Sequence, residues 1–260
     1  MSYIGIDISK AWFDAFCLVR KTGKRFSNDE QGWVELTHWI AADAVLVMEA
    51  SGPYYLFGAC WAHERGYTVS VLNPLIIRRY SQMRLSRAKT DAKDAQLIAE
   101  YARDHTPHTW TPPSKVNQAM QQLMSLRDGL LRQQTMLLGQ QEAFTHAVVT
   151  EQVVHQVLED QKRGIKESLT QIDQRLEQLV EAHYKECYQA VQTIPGVGPK
   201  TALLLICMTD GFARFEDARS LASYVGICPR VYSSGSSIRG RGAICKLGSA
   251  KLRKLLYMCS

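Results

Sequence analysis

Two aspartates stand three residues apart in the stretch RAKTDAKDAQLIAEYARD, residues 87–104. That spacing puts Asp91 and Asp94 on one face at the head of a predicted helix, so their carboxylates project together. Their neighbourhood is basic, with Arg78, Arg79, Arg84, Arg87, Lys89 and Lys93 close in sequence. Two further acids, Asp7 and Glu49, each close a short apolar run, YIGI and AVLVM. Such runs read as strands, and α/β sheets gather ligands beyond the carboxyl ends of their strands. The four acids can therefore converge. Converged and uncompensated they repel, since two like charges about 4 Å apart cost about 4 kcal/mol at an effective dielectric near 20. Protons or divalent cations offset that cost. Oxygen-only ligands suit Mg²⁺ or Mn²⁺, and two such ions can clamp the attacking and leaving oxygens of a phosphodiester. The flanking cations suit a phosphate backbone brought up to that site. A purely structural reading competes: aspartates in a first helical turn complement the macrodipole, and Asp7 and Glu49 can be ordinary strand ends.

A second candidate lies near the end of the chain. SSGSSIRGRG, residues 233–242, is a loop of small hydroxyl residues flanked by Arg239 and Arg241, followed by Lys246 and a predicted helix with Lys251, Arg253 and Lys254. Such a loop is suited to holding phosphates. A serine beside arginines is also a candidate nucleophile, because a cation stabilises the alkoxide and the charge that builds on phosphorus. No histidine lies nearby in sequence to act as base, and a flexible connection is the competing reading.

The elements that must position these residues follow from periodicity. Residues 3–6, 13–19 and the KRFSN segment after a K-T-G turn read as strands of a meander. Residues 31–41 and 54–65 read as helices, 44–49 as a buried strand, and 67–72 as a further strand closed by Asn73-Pro74. Strands followed by strand-helix-strand units define an α/β domain with a mixed sheet, expected over residues 1–108, whose last helix begins at Asp91. The Pro-rich segment 105–114 reads as a linker. Residues 115–185 carry little Gly or Pro, and Leu123, Leu126, Leu130 and Leu137 recur at helical spacings. They predict a helical hairpin or coiled-coil arm serving as spacer or dimerisation element. The IPGVGPK turn then opens a third domain, 187–260.

With 46% hydrophobic and 22% charged residues among 260, the chain has the composition of a globular protein. Its net charge of +6 is modest, but from Arg219 to Ser260 eight Lys or Arg face no Asp or Glu. A polyanionic partner, or a solvated basic face, follows from that asymmetry. Seven scattered cysteines, odd in number and never spaced C-x-x-C, read as free thiols of a reducing compartment. The longest apolar run, ALLLICM, falls far short of the about 18 residues a membrane span needs. A cytoplasmic protein with no membrane partner is expected.

IGIDISK at 4–10, VMEASGPY at 47–54 and KTDAKDA at 89–95, in this order, resemble the acidic motifs of the DEDD transposases, bacterial insertion-sequence recombinases. The segment YVGICPRVYSSGSSIRGRGAICKLGSAKLRKLLYM, 224–258, resembles the C-terminal transposase domain of the same family. The resemblance implies a catalytic domain like the RuvC junction resolvase, a ribonuclease H-like fold. It implies Asp7, Glu49, Asp91 and Asp94 as catalytic metal ligands for Mg²⁺ or Mn²⁺. Ser234, just before Gly235, is the implied nucleophile, with Ser233 as its neighbour. It attacks a DNA phosphate to give a phosphoserine link, and the acids and the serine come from different subunits of a dimer or tetramer. Further implied are a structured guide RNA, the bridge RNA, and an α/β plus α architecture located with the bacterial nucleoid. IPGVGPK resembles a helix-hairpin-helix, in which Gly196, Gly198 and Lys200 meet a phosphate without reading sequence; a plain turn between packed helices is the alternative. Two other functions fit the same residues: a metal-dependent junction nuclease that uses water, and a truncated nucleic-acid-binding remnant, since family members usually continue through further helices.

Overall fold

In the computed structural model, which describes residues 2–85, 90–149, 151–213, 215–230, 233–234, 238–239 and 243–259, the chain opens as a meander. Its strands are β1 (Tyr3–Ile8), β2 (Trp12–Cys17) and β3 (Thr22–Ser27). Successive side chains point to opposite faces of a strand. The antiparallel register of β1 on β2 accordingly sorts Ile4, Ile6 and Ile8 with Cys17, Ala15 and Phe13 onto one face, and Gly5 and Asp7 with Phe16 and Asp14 onto the other.

Helix α1 (Glu30–Trp39) starts at Asp29, whose carboxylate accepts a hydrogen bond from the Gly32 amide at 2.9 Å. Then follow β4 (Val45–Glu49), α2 (Tyr55–Glu64), β5 (Thr68–Leu72), α3 (Pro74–Met83) and α4 (Asp91–His105). The five strands form one mixed sheet in the order β3-β2-β1-β4-β5. β1, β4 and β5 run parallel, and β2 and β3 antiparallel to their neighbours. One face carries a core of Ile4, Ile6, Phe13, Leu46 and Met48 packed with Trp33 and Leu36 of α1 and Ala59 and Trp61 of α2. Trp33 stacks on Phe13 with ring centroids 4.3 Å apart. The other face packs Val45, Val47 and Leu72 against Ile77 of α3 and Ile98 and Ala102 of α4.

Helix α3 is not predicted by the sequence, in which Asn73-Pro74 reads as the end of a strand. The same pair is a helix start: Asn73 Oδ1 accepts from the Leu75 amide at 2.9 Å, and Pro74, with no amide to satisfy, fits the first turn. The Pro-rich segment after α4 is partly anchored, since the Trp110 amide donates to the Val69 carbonyl at 2.7 Å and its ring packs on the core.

The chain divides into two compact units, 1–112 and 113–260. The second begins with two long helices, α5 (Lys115–Thr145) and α6 (Gln152–His183). Ion pairing of Arg127 with Asp173 at 2.6 Å and the Gln141–Glu159 hydrogen bond at 2.9 Å show that they run antiparallel. α7 (Lys185–Gln192), α8 (Pro199–Thr209), α9 (Ala218–Val225) and α10 (Ala250–Tyr257) complete the helices described. The apolar run at 202–208 is the hub of this unit. Leu203, Ile206 and Cys207 pack on Met120, Met124, Leu176 and Val180, while Ala202 and Leu205 pack with Val191, Val225 and Leu252. Between α9 and α10 lie two short ladders, β6 (Pro229–Arg230) with β9 (Ala243–Ile244) and β7 (Ser233–Ser234) with β8 (Ile238–Arg239). Among the described residues no helix is long and apolar enough to cross a membrane.

Candidate active site

Asp7 is the centre from which the acidic site is built. It lies near the carboxyl end of β1, half-buried, on the face that receives α4. β1 and β4 are in parallel register from Tyr3↔Val45 to Ile6↔Met48, so one residue further along the ladder Glu49 stands beside Asp7. Glu49 Oε1 accepts a hydrogen bond from Ser51 Oγ at 2.7 Å. Helix α4 brings the other two acids. It can lie against β1 because position 5 is glycine: a Cβ there would stand 2.1 Å from the Ala95 carbonyl oxygen and 2.4 Å from the Ala99 amide nitrogen. Thr90 caps the helix, its Oγ1 accepting from the Lys93 amide at 3.3 Å, and the turn so fixed holds Asp91 and Asp94.

Electrostatics reports how close these groups are. Burial, followed by the charges of Asp94, Glu49, Asp91 and Asp14, pushes the Asp7 carboxyl up from 3.8 to about 6. All four acids named by the sequence therefore share one field. As they stand, no three Asp, Glu, His or Cys side chains among the described residues form a cluster able to hold an ion. Asp91 is engaged elsewhere, its Oδ2 accepting from Arg25 Nη2 at 3.1 Å. The donor set nonetheless fits a hard divalent cation, being carboxylate oxygens only and carrying an excess of negative charge that Asp7 registers directly.

Asp14 and Arg25 were not singled out in the sequence. Asp14 is directly opposite Asp7 and only 8% exposed. The available signal was an acid inside the apolar strand WFDAFC.

The predicted nucleic-acid contacts differ in their surroundings. Arg78 and Arg79 are exposed on α3, as is Lys93 on α4. Arg84 pairs with Glu100 at 3.0 Å, Lys200 with Asp173 at 3.1 Å and Lys251 with Asp128 at 2.5 Å. Arg87, Lys89, Gly235 and Arg241 lie outside the described residues, and for Ser234 and Arg239 the backbone ladder alone is described. Lys246 is exposed, with its amide donating to the Gly226 carbonyl at 3.0 Å. In the turn between α7 and α8, Gly196 adopts φ +83° and its missing Cβ would be 2.2 Å from the Cys259 carbonyl oxygen, so the chain's own backbone covers one side. Gly198 has open space around it at the start of α8.

A five-stranded mixed sheet bearing carboxylates beside its central strand ends is compatible with the RuvC-like class of nucleic-acid enzymes. Comparison with known proteins fixes the family. A DEDD transposase family model matches residues 4–149, and one described as transposase IS116/IS110/IS902 family matches residues 188–260. The chain is 36% identical to the pilin gene-inverting protein of Moraxella lacunata, over 99% of its length and 81% of the relative's. It is 26% identical to the transposase for insertion sequence element IS1328 of Yersinia enterocolitica, over 100% of the chain and 83% of the relative. The transposase for IS1111A of Coxiella burnetii is also 26% identical, over 97% and 75%. The protein belongs to the IS110 family of transposases and recombinases, enzymes that act on DNA.

Proposed function

We propose that this protein cuts and rejoins DNA through Ser234, with a divalent cation at Asp7, Glu49, Asp91 and Asp94, under the guidance of a structured RNA from its own element. The observation that carries the metal half is geometric: parallel β1 and β4 carry Asp7 and Glu49 near their carboxyl ends, and the close approach of α4 at Gly5 brings the first-turn Asp91 and Asp94 to the same face, in keeping with the upward shift of Asp7. Four carboxylates built into one field make sense where a cation is to be taken up. Mg²⁺ or Mn²⁺ bound there supplies polarisation of the scissile phosphate and compensates charge on the attacking and leaving oxygens.

Ser234 is assigned the nucleophile's role. Its Oγ forms a bond to phosphorus and the bond from phosphorus to one bridging oxygen breaks. That oxygen leaves as a hydroxyl, so the net proton transfer is from the serine to the leaving group. Transesterification conserves the phosphodiester bond energy, and rejoining is the same step reversed on a second strand. Arg239, Arg241 and Lys246 are assigned to the phosphates around this serine. Arg78 and Arg79, with Arg84, Arg87, Lys89 and Lys93, are assigned to the backbone that approaches the acids. Gly198 and Lys200 begin α8 as a helix-hairpin-helix would, with the Asp173 pair holding the lysine in place. The long α5 and α6 are assigned the arm that joins subunits in a dimer or tetramer. The relatives' names span gene inversion at 36% identity and transposition at 26% identity, and both outcomes require this same cut-and-rejoin chemistry.

The test is a denaturing-gel assay for a protein–DNA adduct. Purified protein is incubated with Mg²⁺, labelled DNA from the element's ends and RNA transcribed from the flanking region, beside Ser234→Ala and Asp91→Ala. An adduct that disappears in both variants is the expected result. Mg²⁺-dependent nicks that persist in Ser234→Ala would replace this reading with a water-using nuclease, and binding without any cleavage would replace it with a binding protein.

A further inference from the structure

Asp14 stands outside the four-acid set yet shares its face. In the ladder of β1, β2 and β3 the residues Asp7, Asp14 and Arg25 form one continuous row, Asp7 opposite Asp14 and Asp14 opposite Arg25. A carboxylate as buried as Asp14 needs a partner. Arg25 supplies it, with Nε 3.2 Å from both carboxylate oxygens and Nη2 2.7 Å from Oδ2. The guanidinium lies 5.2 Å from the Trp12 ring centroid, so it is held from two sides. From that anchored position the same Nη2 donates to Asp91 Oδ2 at 3.1 Å. Arg25 thereby ties β3 to the first turn of α4 and leaves Asp91 Oδ1 free of this bond.

We propose that Arg25, anchored by Asp14 and Trp12, is a positioning residue that holds the Asp91 carboxylate in orientation for the metal site. The inference rests on the reading of Asp91 as a metal ligand. Ligating carboxylates are themselves oriented by hydrogen bonds, and removing such a partner typically lowers metal affinity by 10–100-fold. Arginine suits the task because its planar fork engages Asp14 through two nitrogens while one of them extends to Asp91. A lysine ammonium has the charge and lacks that geometry.

Titration of the full-length protein with Mn²⁺, following the electron paramagnetic resonance signal of the free ion, tests this without any catalytic readout. Arg25→Gln and Asp14→Asn should each weaken Mn²⁺ binding by about tenfold, and Arg25→Lys should bind as weakly as Arg25→Gln. The double variant Asp14→Asn/Arg25→Gln should lose no more than the worse single variant, because the two residues act through one contact. Wild-type or tighter binding by Arg25→Gln would overturn the proposal, showing Arg25 to be a bystander or a competing cation. So would additive losses in the double variant. Asp91→Asn separates the two levels: if it binds Mn²⁺ like the wild type, the metal assignment itself fails and the positioning role falls with it. Arg25 is half-exposed and its substitution removes no core side chain. Where Arg25→Gln alone does not fold because Asp14 is left unpaired, the double variant, which leaves no unpaired buried carboxylate, decides the matter, and wild-type Mn²⁺ binding by it overturns the proposal.

Discussion

Asp7 makes the acidic site visible to a measurement that needs no substrate. Its carboxyl titrates at about 6 in the folded protein, above the ordinary 3.8, chiefly through burial and then through its acidic neighbours. Between those two values the folded state binds more protons than the unfolded chain, so stability falls as pH rises through that window and the penalty is complete above about 6. In a buffer with chelator, Asp7→Asn removes the penalty. All five tryptophans, at positions 12, 33, 39, 61 and 110, lie in the first unit, so intrinsic fluorescence follows the melting of that unit. The variant should melt above the wild type at pH 7.5, by about 4 °C for each kcal/mol relieved, and the gap should close as pH is lowered toward 4. A gap of equal size at both pH values would mean that the substitution acts through packing and not through charge.

At the scale of elements, the site depends on how closely α4 lies against β1, and a missing side chain sets that distance. Gly5→Ala would drive a methyl group into the Ala95 carbonyl and the Ala99 amide, backbone atoms that cannot swing aside. Overpacking of that kind costs about 1–3 kcal/mol, so the tryptophan-monitored transition should fall, and Mn²⁺ binding should weaken as Asp91 and Asp94 move away from Asp7. An unchanged melting curve would show that α4 has room to shift. Much of this arrangement was legible beforehand. The apolar runs that end in Asp7 and Glu49, and the i, i+3 pair capped by Thr90, are local patterns, and local patterns appear in sequence. α3 was missed because Asn73-Pro74 terminates a strand and begins a helix with the same two residues. Asp14 and Arg25 were missed for a different reason. Arg25 is on an edge strand exposed at all but one of its positions, and its bond to Asp91 spans 66 residues of sequence, a relation that only the strand order creates.

At the scale of the whole molecule, charge is unevenly distributed, and among the described residues some basic side chains are already engaged within the protein. Eight Lys or Arg and no acid fall between Arg219 and Ser260. Among the described residues two of the eight are engaged within the fold: Lys251 Nζ lies 2.5 Å from Asp128 on α5, and Arg253 Nη1 donates to the Val225 carbonyl at 2.7 Å. A cation already held by a carboxylate contributes less to counterion release than an unpaired one, because its field is partly compensated. For duplex DNA the slope of log affinity against log salt changes by about 0.9 for each phosphate contact. Replacing Arg239 and Arg241 together by glutamine should therefore flatten the slope by about 1.8, whereas Lys251→Gln should change it by well under the value of one contact and instead lower thermal stability. Fluorescence anisotropy of labelled element-end DNA over a series of KCl concentrations measures both. Equal flattening by the two substitutions would mean that DNA senses the region as an undifferentiated basic field, with the Lys251–Asp128 pair opened on binding. Separate values would place the phosphate track on the serine loop, where the proposed nucleophile needs it.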